Sequence, residues 1–301
     1  MSSGRGAELR CYMNLMAFDS LPESASGPRA RSFSERLDAL GEAGFSGVQF
    51  ATPATSEQLS DCRAVGFGFV GSGRINSPEE ASPLAERLAG DGYECATLHV
   101  GWGLEDDDRA GALIEAVLDA ARRWHISLYI ETHRATILQD MWRSVRFLQR
   151  FPELRLNGDF SHWYTGQEMV YGEFEMKFQF IQPVLERVRF LHGRIGNPGC
   201  MQVRVEENAA NEAPYLAHFK QLWTACFRSF LRTAGPGDCI YFVPELLAPG
   251  IYYARTFPNA EGVPIEESDR WEQSLLLKRI AEACFREALS TEIMNRKTGR
   301  I

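Results

Sequence analysis

Two glutamates, an aspartate and a histidine each close a short apolar run in the second half of this sequence. Glu131 ends the run 127–131, Asp159 the run 154–159, His192 the run 188–192 and Glu245 the run 240–245. Carboxylate oxygens and an imidazole nitrogen together suit one hard or borderline divalent cation, and the lack of thiolate donors argues against a structural zinc site. Mn²⁺ is the expected ion, with Mg²⁺, Co²⁺ and Zn²⁺ compatible. Four protein ligands leave room for two substrate oxygens, such as the hydroxy-carbonyl fragment of a sugar. A cation there polarises the carbonyl and favours an enediolate, which eases removal of the adjacent proton.

Side chains at the ends of successive strands converge only if the strands are parallel and neighbouring. Ahead of the four runs lie further strand candidates at 11–16, 47–50, 67–71 and 96–100. Helical periodicity occupies 32–43, 56–65, 78–89, 106–123, 137–150, 173–187, 215–233 and 271–289. Ser32 can cap the first helix, and Thr55 with Gln58 has capping-box spacing for the second. In Ser77-Pro78-Glu79-Glu80 a proline follows a cap-capable serine. Strict alternation of eight strands and eight helices requires crossovers, hence parallel pairing, and predicts a closed (β/α)₈ TIM barrel. No Gly-x-Gly-x-x-Gly follows the first strand, which argues against a dinucleotide-binding open sheet. The expected organisation is one α/β domain over 1–301, with a short N-terminal tail (1–10) and long loops at 193–213 and 246–270. Those two loops follow strands seven and eight, on the face where such barrels keep their chemistry.

Lys plus Arg total 32 and Asp plus Glu 40, giving a net charge of −8. That balance disfavours nucleic acid as a partner. There is no signal-peptide pattern and no apolar stretch long enough to span a bilayer. Seven scattered cysteines with no Cys-x-x-Cys pair fit a reduced, cytoplasmic protein.

Thr132-His133-Arg134 after Glu131, Asp159-Phe160-Ser161-His162-Trp163, His192-Gly193-Arg194 and Pro244-Glu245 resemble the xylose-isomerase-like TIM barrels. That superfamily includes sugar isomerases and epimerases, inosose dehydratases and the endonuclease IV repair enzymes. The resemblance is architectural over 11–289 and specific over 130–253. It implies that Glu131, Asp159, His192 and Glu245 bind the metal and that Glu131 and Glu245 exchange the substrate proton. It further implies that His162 contacts substrate oxygens, and it matches Arg194 in type to a substrate-binding arginine. Gln49 stands where a glutamate is common, which removes one charge from the pocket. His192-Gly193-Arg194 lacks the further ligands of a trinuclear zinc site, so a DNA phosphodiesterase is disfavoured.

Other residues fall near the predicted barrel mouth. His99 ends the fourth strand and can bond a substrate hydroxyl. Pleat alternation turns at least one of His133 and Arg134 away from the metal, and Arg134 can meet an anionic group. Asn14 lies near the end of the first strand. Trp102, Trp163, Tyr252 and Tyr253 are candidate floors for a sugar ring. Gly71-Ser72-Gly73-Arg74 is a candidate anion nest. His125 and His218 read as structural, and 105–109 as a solvated helix start. The expected function is a metal-dependent isomerase or epimerase acting on a non-phosphorylated sugar or polyol. The alternatives are a metal-dependent dehydratase or lyase on a keto-sugar or inosose, and a metal-binding subunit without turnover. A homo-oligomer is compatible with all three.

Overall fold

A computed structural model of the chain describes residues 6–28, 32–207 and 212–298. The eight strands form a closed parallel barrel in sequence order. They are β1 (Glu8–Asn14), β2 (Gly47–Gln49), β3 (Gly68–Ile75), β4 (Cys95–Val100), β5 (Ser127–Glu131), β6 (Leu156–Asn157), β7 (Val188–Gly193) and β8 (Cys239–Pro244). β1 closes the ring against β8, with Glu8 opposite Cys239. The helices are α1 (Leu15–Asp19), α2 (Phe33–Glu42), α3 (Ser56–Ala64), α4 (Ala81–Asp91), α5 (Asp107–Trp124), α6 (Met141–Arg150), α7 (Phe160–Gly166), α8 (Phe174–Phe180), α9 (Gln182–Leu185), α10 (Pro214–Thr233) and α11 (Arg270–Thr298).

Several boundaries differ from the sequence reading for local reasons. Residues 8–10, read as tail, belong to β1 because their backbone pairs with β8. Met16, read as strand, sits in α1, which begins where the Asn14 side chain accepts from the Ala17 amide at 3.1 Å. Helix 173–187 is broken into α8 and α9, with Pro183 in the first turn of the second piece. The loop after β8 contains a two-stranded antiparallel ribbon, β9 (Thr256–Pro258) and β10 (Pro264–Glu266). Part of the loop after β7, 208–211, lies outside the described residues. The Ser32 cap and the Thr55–Gln58 box both form, each with reciprocal side-chain and backbone bonds. No described helix is long and apolar enough to cross a membrane.

Period-two alternation sorts every strand into an inner and an outer face. Outward residues such as Ile130, Leu191, Ile240 and Phe242 join the large core under the helices. Inward residues Tyr12, Val70, Cys95, Tyr129, Phe190, Tyr241 and Val243 fill the barrel. Tyr12 has room because Gly47 and Gly68 carry no Cβ, which at either position would strike its ring. At the base, Glu94 accepts from Arg10 Nη1 at 3.0 Å and from the hydroxyls of Tyr12 and Tyr241, each at 2.8 Å. These are charge-assisted bonds spanning β1 and β8, the strands that close the ring. Glu94→Ala removes all of them and strands two buried phenols, so a loss of about 3 kcal/mol is expected, measured by urea unfolding. Wild-type stability in that variant would show that the base is held by packing alone.

Candidate metal centre

The inner parity that fills the barrel leads, one step further along each strand, to the site. Thr97 and His99 continue β4 past Cys95, and Glu131 and His133 follow Tyr129 on β5. Asn157 and Asp159 extend β6, His192 and Arg194 follow Phe190 on β7, and Glu245 follows Val243 on β8. Asn14 and Gln49 hold the same position at the ends of β1 and β2. Glu131, Asp159, His192 and Glu245 each bring one donor atom into a group whose members all lie within 4.8 Å of one another. Glu131 and Asp159 are almost completely buried, as is His192.

Asp159 is positioned differently from the other three. β6 stops at Asn157 after a register shift against β7. Asp159 therefore acts as the N-cap of α7, where its Oδ1 accepts from the Ser161 amide at 3.1 Å and hydroxyl at 2.5 Å. A carboxylate at a helix N-terminus is favoured by the exposed amides there. Gly193 places Arg194: a Cβ at residue 193 would run into the Phe242 ring.

Arg194 is the cationic partner of the cluster. Its guanidinium pairs with Asp159, meets Glu245 Oε2 at 3.0 Å, and lies 4.5 Å from the Tyr253 ring centre. Burial alone would depress this guanidinium's pKa, but Asp159 and Glu245 drive it upward instead. Burial raises Asp159 to about 6 despite Arg194, with Glu131 and Glu245 adding to the rise. Burial works against protonation of His192, yet Glu245 and Glu131 outweigh it and lift the imidazole to about 9. Glu131 behaves in the reverse sense: burial would raise it, and His192 and His99 hold it well below the usual carboxylate range.

Asn157 organises the interior of the cluster. Its Nδ2 reaches Thr97 Oγ1 at 2.7 Å, Glu131 Oε2 at 3.1 Å and His192 Nδ1 at 3.0 Å, while its Oδ1 accepts from the His192 amide at 3.1 Å. Gln49 lies 3.1 Å from His192 Nε2 and donates to Ser72 at 2.9 Å, and Asn14 donates to Gln49 Oε1 at 3.1 Å and Glu245 Oε1 at 3.3 Å. Glu131 Oε2 is thus well supplied with donors. Glu131 Oε1 is buried and has no hydrogen-bond partner. An orphaned, ionised carboxylate oxygen is costly unless a cation completes it. Together with the donor set, that oxygen makes the residues present a fit for a divalent ion, held by Glu131, Asp159, His192 and Glu245.

Three imidazoles form a row beside this centre. His99 and His133 have ring centroids 4.1 Å apart, and His133 and His162 are 3.9 Å apart. His162 Nε2 lies 3.0 Å from Arg194 Nη2 and 4.0 Å from Glu131 Oε1, and its Nδ1 is a further buried atom without a partner. Burial, with Arg194 adding to it, keeps His162 well below its ordinary pKa, and burial takes His133 to about 3. His99 rises, because the Glu131 charge overcomes burial. The row contains a second group, His99, Glu131 and His133, with metal-compatible spacing.

The remaining candidates are dispersed. Arg134 is exposed at the mouth with its guanidinium 5.4 Å from the Tyr253 ring centre, and Tyr253 Oη reaches His133 Nε2 at 3.5 Å. Tyr252 is 91% exposed, so it offers no enclosed surface. Trp102 is half exposed and stacks with Arg74 at 4.1 Å. Trp163 is a correction: it is fully buried with Nε1 bonded to the Leu138 carbonyl at 2.9 Å, so its ring is core and cannot floor a ligand. The glycine pair around Arg74 is also corrected. Gly71 and Gly73 lie within β3, and Arg74 donates to the Gly101 carbonyl at 2.9 Å and lies 3.3 Å from His99 Nδ1. Asn157 and Thr97 went unnoticed in the sequence, although each stands two residues before a recognised site residue and so shares its face.

The barrel superposes on the crystal structure of the probable 3-DHS dehydratase AsbF from Bacillus anthracis, which is involved in petrobactin synthesis. The TM-score is 0.52 at 14% identity, over 79% of this chain and 92% of that one. A protein from Parabacteroides distasonis matches with a TM-score of 0.51 at 10% identity, over 93% and 99% of the two chains. No protein-family model and no curated protein matches the sequence. The likeness is one of fold. It is the fold that the resemblance to xylose-isomerase-like barrels implies, and the activity has to be argued from the cluster.

Proposed function

We propose that this chain is a divalent-metal-dependent enzyme that removes a proton next to a carbonyl of a sugar or polyol derivative, leading to isomerisation or epimerisation. The observation that supports it most is the convergence of Glu131, Asp159, His192 and Glu245 around a Glu131 oxygen left without a partner. A bound cation supplies polarisation of the substrate carbonyl and accommodates the charge that develops on its oxygen. Glu131 and Glu245 then act on the substrate carbon, one taking the proton and the other able to return one from its own side. Asp159 and His192 hold position, fixed by Ser161 and Asn157. Arg194 and His162 face the same space and orient substrate oxygens. His99, at one end of the histidine row, is a further contact for a hydroxyl.

A second outcome has its own observation. The row His99–His133–His162 runs alongside Glu131, so an imidazole is at hand to give a proton to a departing hydroxyl. Deprotonation followed by that step is dehydration. Both outcomes begin with the same proton loss, which gives one experiment for the pair. The Mn²⁺-loaded protein is incubated with a panel of keto-sugars and inososes in deuterium oxide and followed by NMR. Deuterium next to the carbonyl in a recovered isomer supports the first reading, and an unsaturated ketone supports the second. A panel with neither deuterium uptake nor unsaturation rejects both.

A further inference from the structure

The end of the barrel opposite the cluster carries an unbalanced concentration of positive charge. A cavity of about 480 Å³ opens there beside the base of β6 and β7 and the last turn of α10, lined by Arg155, Arg187, Arg189 and Arg232. Arg232 Nε is paired with Glu292 at 3.1 Å. The other three meet no carboxylate within ion-pair distance among the described residues. Arg155 donates to the carbonyls of Pro152 and Leu154 at 3.1 and 3.0 Å. Arg189 donates to those of Glu186 and Val188 at 3.1 and 2.7 Å, and to the Thr233 hydroxyl at 3.2 Å. The Arg187 guanidinium makes no side-chain hydrogen bond or ion pair among the described residues.

These guanidinium groups are close enough to oppose one another. Burial, then the charge of Arg187, lowers the pKa of Arg155, and burial, then Arg155 and Arg187, lowers that of Arg189. In a chain of net charge −8, with acids in excess, three adjacent cations with no carboxylate at ion-pair distance among the described residues form an unusual arrangement. Guanidinium forks match phosphate oxygens in pairs, and the Ser229 hydroxyl on the same wall, with no hydrogen bond of its own among the described residues, is a further donor. Two carboxylates, Glu186 and Asp238, also line the rim; Asp238 Oδ2 is occupied by the Gly235 amide at 2.8 Å. The volume lies in the range of small-molecule sites, roughly 300–1,000 Å³, and exceeds what a lone inorganic ion fills.

We propose that this cavity binds a phosphate-bearing small molecule through Arg155, Arg187 and Arg189. It is separate from the metal cluster, since the strands that carry these arginines at their bases carry Asp159 and His192 toward their other ends. The proposal stands whatever reaction the cluster performs.

Titration calorimetry of the full chain with inorganic pyrophosphate, at fixed chloride and without added divalent cation, tests it. Saturable one-to-one binding is expected. Arg187→Ala should weaken it at least tenfold and Arg187→Glu should abolish it, while Arg134→Ala, at the opposite face, should bind as wild type does. Arg187 has no side-chain partner to lose, so its alanine variant retains the fold and remains decisive if the charge reversal does not fold. Absence of saturable binding, equal affinity in Arg187→Ala, or loss of binding in Arg134→Ala overturns the proposal.

Discussion

Glu131→Gln is expected to slow exchange of the substrate proton by about a hundredfold to ten-thousandfold while leaving the barrel folded. The substitution keeps shape and volume. The amide oxygen can still accept from Thr97 and Asn157, the two donors that Glu131 Oε2 receives at 3.1 Å each. What disappears is the charge. The carboxylate is held ionised by His192 and His99, so it has a lone pair free to take a proton, which an amide does not offer. The orphaned Oε1 position becomes an NH₂ group, which cannot ligate a cation and faces His162 instead. Two readings are needed: deuterium incorporation by NMR for the chemistry, and chelator competition for Mn²⁺ affinity, which should fall in parallel. A folded Glu131→Gln protein that exchanges protons at the wild-type rate would remove Glu131 from the proposed reaction.

Arg194→Met is expected to cost about 3–5 kcal/mol of stability when no divalent ion is present, because it leaves charges buried without a partner. Asp159 is fully buried and Glu245 is 13% exposed, and Arg194 contacts both. With the His192 imidazole, the guanidinium therefore supplies the positive charge that lets the carboxylates share one space without a metal. A divalent cation carries that charge too, so Mn²⁺ should restore much of the variant's deficit and stabilise the wild type less. Urea unfolding with chelator and with Mn²⁺ measures both differences. If the variant is as stable as wild type in chelator, or gains no more from Mn²⁺, then Arg194 does not serve as the internal counter-charge.

The barrel was legible in the sequence because its evidence is periodic. Eight apolar runs alternating with helical stretches admit few other topologies, and the period-two rule carries inward parity from Tyr129 to Glu131 and from Phe190 to His192 without reference to coordinates. The four cluster residues were legible for the same reason, since each lies just past the end of a run. The roles of Arg194, Asn157 and Trp163 were not. Whether Arg194 points to solvent or folds back on Asp159 depends on the missing Cβ at Gly193 and on the Phe242 ring beside it. Asn157 reads as an ordinary polar strand residue until its four hydrogen-bond contacts with Thr97, Glu131 and His192 are found. Trp163 follows His162 directly, and one step along a helix turns a side chain by about 100°, from the cluster into the core. The base cavity was invisible for a different reason: its arginines are scattered through 155–232, and nothing in their spacing shows that their charges share a space.

The brevity of β6 has a consequence for how the molecule moves. Seven strands hold their neighbours through three or more paired positions on at least one side, whereas β6 has two pairs with β5 and two, out of register, with β7. The ring is consequently weakest in hydrogen bonds beside Asp159, the residue that caps α7 and joins the cluster from outside the ladder. Local opening requires the breaking of the fewest backbone bonds there. The β5–β6–β7 sector is then where the ring opens most readily, and it is the sector from which Asp159 reaches the cluster.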